Sequence, residues 1–297
     1  MFLTEDDVRA HLRMEDLIPA MAEAMRDLSL GKVQQPLRQV LSVSEHNGFL
    51  GVMPAYGRAL GAKLVTFYPN NQGLPTHHAM IQLFRPETGE PLVTMDGRLI
   101  TEMRTAAVSA VGTDLLARKD ASVLAILGSG VQARSHLEAL RLVRHFREVR
   151  VWSPRNADKF AREFDLIASP SAEKAVRGAD VIVVATSATT PVLLGDWLSS
   201  GMHINAVGAT RPNWRELDDE VLRRARIYVE SRDAASKESG DVIAAGPIFA
   251  ELGEVVARVK PGRQSKEEIT LYKSVGVAIE DVFAADLVYR RATGVQT

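Results

Sequence analysis

The stretch Val123-Leu-Ala-Ile-Leu-Gly-Ser-Gly-Val-Gln-Ala133 leaves the chain few choices. Five consecutive apolar residues, Val123 to Leu127, suit a parallel strand buried on both faces. Gly128, Gly130 and Ala133 follow in G-x-G-x-x-A spacing, and helical sequence runs from Arg134 to Leu142. The first glycine permits a tight turn, the second lets the backbone approach a pyrophosphate, and Ala133 lets helix and strand pack closely. The helix N-terminus then faces the phosphates. The motif is weak by itself, but strand, turn and helix together make it a dinucleotide site.

The next strand, Glu148-Val-Arg-Val-Trp152, is apolar at alternate positions and ends in Ser153-Pro154-Arg155-Asn156. An NAD site usually places an acidic residue here to bind the ribose 2′-hydroxyl. No carboxylate stands here to repel a 2′-phosphate. Ser153 and Asn156 can donate to one, and Arg155 can pair with it bidentately. NADP(H) is therefore the expected cofactor, with NAD(H) second.

From residue 120 onward, strands at 123–127, 148–152, 181–186, 203–207 and 226–230 alternate with helical segments. That pattern predicts α/β architecture, a Rossmann-type doubly wound parallel sheet. Ligands of such sheets lie outside the carboxyl ends of the strands. Those ends carry Gly128, Ser153, Thr186-Ser187 and Gly208-Ala-Thr210. Before residue 100 the pattern differs. Two helices (from Thr4, and Met14 to Leu30) precede hairpins around Glu45–Gly48 and Arg85–Gly89, which predicts a mostly antiparallel α+β domain. Further helices are expected at 101–118, 248–259 and 277–290, and the last of these returns to the first domain. The expected division is 1–115 with 275–297 as one domain and 116–274 as the dinucleotide domain. A chain of 297 residues is long enough for two cores.

A net charge of −1 gives no general attraction to nucleic acid or to an anionic membrane. No apolar run approaches the roughly 20 residues of a membrane span. The acidic N-terminus lacks a signal-peptide core, so a cytoplasmic location is expected. There is no cysteine, and the seven histidines form no metal-binding pair, so no metal site is expected. G-x-S-x-G is absent, which leaves serine-hydrolase chemistry without its motif.

Hydride transfer needs charges that hold the substrate beside the nicotinamide. Lys63 lies inside the strand Gly61–Tyr68, where lysine is disfavoured. Arg104 sits among small residues in Thr-Glu-Met-Arg-Thr-Ala-Ala, and Arg38 begins the first strand of the hairpins. Arginine grips carboxylates bidentately, and a partly buried lysine can donate a proton near neutral pH. Taken singly, each is also what an edge strand or helix surface carries. His77, in Thr76-His77-His78, can relay a proton or bind cofactor.

Taken together, the chain resembles the ornithine cyclodeaminase/mu-crystallin family. The resemblance rests on Gly51-Val-Met-Pro-Ala-Tyr56, Lys63–Tyr68, Met95-Asp-Gly97, Arg104–Ser109, Gly128–Gln132, Asn205–Gly208, Lys237–Asp241, Phe249–Gly253 and Lys273–Gly276 with Glu280-Asp281. These segments span nearly the whole chain in order. The resemblance implies an NAD(P)-dependent homodimer whose first domain and C-terminal helix bind substrate and dimerise. Arg38, Lys63 and Arg104 match positions that grip an amino- or imino-acid carboxylate. Thr76, Val131, Gln132, Ser153, Thr186 and the run Ile204, Asn205, Ala206, Val207 match cofactor contacts. Ser274 and Val275 match residues beside nicotinamide and substrate.

One position separates the branches of that family. Cyclodeaminases carry an aspartate base where this chain has Thr210, and a hydroxyl is not a competent base at neutral pH. The mu-crystallin-like branch, associated with NADPH-dependent ketimine reduction, has a small hydroxyl residue there and the same Arg-Pro-x-Trp-Arg-Glu-Leu tail. The expected function is reduction of Δ1-pyrroline-2-carboxylate or Δ1-piperideine-2-carboxylate to L-proline or L-pipecolate. Lys63 stands near the imine, and Thr210 and His77 hold water or the nitrogen. The alternatives are ornithine cyclodeaminase, an alanine- or opine-type dehydrogenase, and a non-catalytic crystallin-like binding protein.

Overall fold

A computed structural model describes residues 1–295. Its contacts divide the chain into two compact units, Met1–Arg104 with the segment from Gly276 onward, and Thr105–Val275. The division falls inside one helix, between residues 104 and 105, rather than at residue 115.

In the first unit β1 (Phe2–Leu3) leads to α1 (Glu5–His11) and α2 (Met14–Ser29). Thr4 caps α1, and a capping box with Asp7 satisfies two backbone donors. Leu17, Met21 and Met25 on α2 are fully buried. Strands β2 (Gln39–Val43), β3 (Gly48–Tyr56), β4 (Leu60–Phe67), β5 (His77–Phe84) and β6 (Pro91–Asp96) follow, then α3 (Arg98–Leu116). The sheet runs β1-β6-β5-β4-β3-β2 and is antiparallel except where β1 pairs with β6. Both expected hairpins are present.

The second unit begins its own sheet with β7 (Val123–Leu127), α4 (Val131–Val143), β8 (Glu148–Trp152), α5 (Ala157–Phe164), β9 (Ile167–Ala168), α6 (Ala172–Val176) and β10 (Val181–Val184). It continues with β11 (His203–Ala206), α7 (Asp219–Arg224), β12 (Ala225–Val229), α8 (Arg232–Glu238), α9 (Gly240–Ile243), β13 (Ala250–Glu251), α10 (Leu252–Val256) and β14 (Ile269–Lys273). Eight strands lie parallel in the order β13-β12-β14-β11-β10-β7-β8-β9. The chain turns from β7 one way to β8 and later returns to β10 on the other side. This is the switch point at which open parallel sheets bind ligands.

Three expectations need correction. Between β10 and β11 the α-helix is missing, and a single 3-10 turn (Gly195–Trp197) stands in its place. Pro191, Gly195 and Gly201 break that segment. Residues 248–259 do not form one helix but β13 and the short α10. Finally, β14 went unrecognised although it is central and wholly buried. Its sequence, Ile-Thr-Leu-Tyr-Lys, ends in a charge whose partners lie far back in the chain.

The last helix, α11 (Ala278–Thr293), belongs to the first unit and packs on α2, β3, β4 and β5. Gly61 on β4 makes this approach possible. A Cβ there would meet Gln82 O at 2.7 Å and a Val282 methyl at 3.3 Å. The other face of the same sheet leaves Leu41, Leu64 and Met80 exposed.

Candidate active site

Lys63 points to the helix-covered face of the first unit's sheet. Across the strands it stands in the row Met53–Lys63–Ile81–Met95, whose other members are at most 3% exposed. Its ammonium meets Asp281 Oδ2 at 2.6 Å. The Arg104 Nε donates to Asp281 Oδ1 at 3.1 Å, and Nη1 donates to Glu280. Both carboxylates come from the first turn of α11, where the helix dipole favours negative charge. Lys63, Arg104, Glu280 and Asp281 are all closed to solvent or nearly so. Arg38 is half-buried and donates from Nη2 to the Gly276 carbonyl at 2.9 Å.

Burial lowers the Lys63 pKa to about 8; Asp281 opposes the shift, and the Arg104 and Arg38 cations add to it. Such a lysine exchanges its proton near physiological pH. Three cations face two carboxylates, so the cluster carries one unit of positive charge in excess, which suits one more carboxylate. Gly276 fits this cluster closely. Its φ is +76°, and a Cβ there would come within 2.6 Å of the Arg104 guanidinium nitrogens.

Sequence reasoning named Lys63, Arg104 and Arg38 without their counterions. Glu280 and Asp281 read as an ordinary acidic first turn, and only the family pattern drew attention to them. His77 stands apart from the cluster. It pairs with Phe67, four residues along β4 from Lys63 and so about 13 Å away along the strand. Its exposed ring packs on Phe67 at 4.5 Å between centroids and lies 3.2 Å from Thr76 Oγ1.

In the second unit, Gly128 turns with φ +123°, and a Cβ there would lie 2.3 Å from Ala185 O. The ends of β7 and β10 are therefore in close approach at the switch point. Gly130 is the N-cap of α4 and supplies no side-chain cap, while space beside its Cα is open. The first-turn N–H groups of Val131, Gln132 and Ala133 are thus left for a ligand. Gln132 Oε1 and Asn205 Oδ1 are buried without a hydrogen-bond partner among the described residues. An exposed anion-binding helix N-terminus with the orphaned Gln132 amide oxygen in its first turn fits a dinucleotide.

Ser153 Oγ lies 2.8 Å from Ser129 Oγ and accepts from Asn156 N, which ties the end of β8 to the glycine turn. Arg155, Asn156 and Ser187 are exposed. Thr186 donates from both N and Oγ1 to Glu216 Oε1, at 2.9 and 2.6 Å. Ile204 and Ala206 are core side chains, and Asn205 Nδ2 donates to Thr113 Oγ1 at 2.9 Å. Those three side chains are committed inside the unit. Val207, Gly208 and Thr210 lie beyond β11 at the strand-end edge. Ser274 Oγ and Val275 N both donate to Glu230, at 2.5 and 2.7 Å.

Sequence reasoning gave no role to Glu216, Glu230, Asp241 and Lys273, all fully closed to solvent, although all but Glu230 lie in segments that carry the family resemblance. Burial pushes the Glu216 carboxyl up to about 7, against the opposing pull of Lys273 and Thr186. A lysine at the end of a buried strand was the available signal. Among the described residues no group of three or more His, Asp or Glu is arranged to hold a metal. No helix there is long and apolar enough to cross a membrane.

The chain is 51% identical over 302 residues to the ketimine reductase mu-crystallin of Mus musculus, covering 97% of this chain and 96% of that protein. The structure of Thermococcus litoralis Δ1-pyrroline-2-carboxylate reductase in complex with NADH and L-proline superposes with a TM-score of 0.94 at 41% identity, over 100% of this chain and 99% of the other. An archaeal alanine dehydrogenase dimer with bound NAD matches with a TM-score of 0.91 at 37% identity, over 100% and 98%. The family model for the ornithine cyclodeaminase/mu-crystallin family matches residues 1–296. With a glycine turn at the switch point and a buried lysine–carboxylate–arginine cluster along that full-length match, the chain belongs to the ornithine cyclodeaminase/mu-crystallin family.

Proposed function

We propose that the protein is an NAD(P)H-dependent ketimine reductase acting on a cyclic 2-imino acid, Δ1-pyrroline-2-carboxylate or Δ1-piperideine-2-carboxylate. The observation that carries the reading is the buried Lys63, held by Asp281 among Arg104 and Arg38. Arg104 and Arg38 take the substrate carboxylate, neutralising the cluster's excess charge. Lys63, protonated near neutral pH, keeps the imine nitrogen protonated and C2 electrophilic. When bound, the reduced nicotinamide supplies a hydride. It becomes the C2–H bond of the product, while the C=N π pair stays on nitrogen as its lone pair. The products are a cyclic amino acid and the oxidised cofactor.

Thr210 supplies a hydroxyl for a water or the nitrogen; it is no base for oxidising an amine, which argues against cyclodeamination of ornithine. His77, exposed and about 13 Å along the strand from Lys63, contributes by holding water or cofactor. Thr76, Val131, Gln132, Thr186, Val207, Gly208 and Ser274 line the cofactor's path in this reading, with Val275 beside the substrate. NADP(H) is preferred because Ser153, Arg155 and Asn156 offer donors and no carboxylate at the end of β8. The protein acts as a cytoplasmic homodimer, and the exposed Leu41, Leu64 and Met80 on one sheet face support pairing through that face.

The test is NADPH oxidation, and separately NADH oxidation, with each ring size near pH 7. Turnover of either ring supports the reading. Silence with both, accompanied by ammonia release from ornithine or oxidation of alanine, overturns it.

A further inference from the structure

We propose that Lys273 is a positioning residue for the Gly208–Thr210 turn: its buried ammonium pins a strained backbone that presents Thr210. The inference deepens the ketimine-reductase reading and rests on it for the role of Thr210.

Lys273 ends β14, the strand between β11 and β12, and is fully closed to solvent. Its ammonium donates to the Gly208 carbonyl and lies 3.2 Å from Asp241 Oδ2 and 4.0 Å from Glu216 Oε2. Both carboxylates reach onward. Asp241 Oδ1 accepts from Glu216 N at 3.0 Å and from Leu217 N at 3.1 Å. Glu216 Oε1 accepts from the backbone and hydroxyl of Thr186. One buried ammonium and two carboxylates therefore tie together the ends of β10, β11 and β14.

The turn so held is strained. Ala209 has φ +49°, although it is not glycine, and its side chain is only 2% exposed. Gly208 cannot take a side chain, since a Cβ there would lie 2.4 Å from both Glu216 Oε1 and Thr186 O. A left-handed alanine persists only where its surroundings over-determine it, and such residues gather at functional sites. The Lys273 contact to the Gly208 carbonyl fixes the peptide leading into Ala209, and Thr210 follows at once. A buried ion pair is a poor device for stability alone, and holding a conformation is a use that explains it.

The experiment compares wild type with Lys273→Met, Lys273→Arg and Ala209→Gly. It reads NADH affinity by fluorescence, melting temperature, and kcat and KM for the ketimine. Lys273→Met is expected to lower kcat about a hundredfold, the loss that a displacement near 1 Å can cause, with KM for the imine little changed. Lys273→Arg should recover part of that loss. Ala209→Gly leaves the Lys273 contact in place and suits the left-handed turn, so its melting temperature should not fall and its kcat should stay near wild type. Where Lys273→Met does not fold alone, it is repeated in the Ala209→Gly background, which relieves the strain of the turn. Wild-type kcat in a folded Lys273→Met protein that binds NADH, alone or in that background, would overturn the inference. Failure to fold in both backgrounds would show that Lys273 holds the core rather than the turn, and would overturn it too. Wild-type silence on ketimines would instead contradict the reductase reading. The same variants are then compared on whichever 2-amino acid the wild type oxidises.

Discussion

Lys63 Nζ and Asp281 Oδ2 stand 2.6 Å apart with both side chains shut off from solvent. Between them they fix when the site can hold a proton. Burial alone would drive the lysine neutral; the carboxylate keeps its pKa at about 8. As donor, Lys63 works in its protonated form, so imine reduction should decline as pH rises through about 8. Asp281→Asn removes the carboxylate that raises this pKa, and the alkaline limb of the kcat profile should move to lower pH. An unmoved limb in the variant would mean that another group titrates there.

Arg104→Lys tests the grip on the substrate carboxylate. Lysine keeps the charge but loses the planar fork that bonds Asp281 and Glu280 while offering further donors. Loss of a charge-assisted hydrogen bond of about 1.5–3 kcal/mol should raise KM for the imine roughly 10- to 100-fold. Steady-state kinetics at saturating cofactor check this, and an unchanged KM would place the carboxylate elsewhere.

Stability should depend on two histidines outside the chemistry. Burial lowers His136 to about 4 and His203 to about 3. His136 Nδ1 donates to the Gln132 carbonyl at 2.7 Å and Nε2 accepts from Ser109 Oγ at 2.9 Å, which is the pattern of a neutral ring. Below the unfolded value of 6.5 the unfolded chain takes protons that the native rings refuse. Their contribution is thus complete above that value and is lost as pH falls toward 4 and 3. Between about pH 7.5 and 5 the loss is on the order of 2 kcal/mol for each ring. Urea midpoints at the two pH values should show it, and His136→Gln should shrink the difference.

Cofactor choice can be moved at one residue. Ser153 directly follows β8 beside the glycine turn and carries no charge. Ser153→Asp should repel a 2′-phosphate and bind a 2′-hydroxyl, shifting the NADPH/NADH ratio of kcat/KM toward NADH by about tenfold or more. No shift would mean that the 2′ position is read by other residues.

These outcomes depend on features that were unequally visible in the sequence. Val123–Leu127 and Gly128 declared themselves locally, because an unbroken apolar run and a tight turn are short-range requirements. Thr4 and the hairpin turn at Glu45–Gly48 did so for the same reason. Lys63 was conspicuous as a cation in a strand, but its partner Asp281 comes from the far end of the chain. β14 was hidden by its closing Lys273, whose charge is matched by Glu216 from a loop and Asp241 from α9, both distant in the chain. Buried ion pairs are made by tertiary contact, so the residues on either side of them read as surface charges until the fold brings them together.

The central claim is that a protonated Lys63 serves reduction of a cyclic ketimine. The direct measurement is the initial rate of NADPH oxidation with Δ1-piperideine-2-carboxylate near pH 7, for wild type and Lys63→Met side by side. Arg104 remains to neutralise Asp281 in the variant, so its fold should be kept. The account requires brisk wild-type turnover and a loss of about a hundredfold or more in the variant, the scale of general acid catalysis. A wild type without activity, or a variant as fast as wild type, would contradict it.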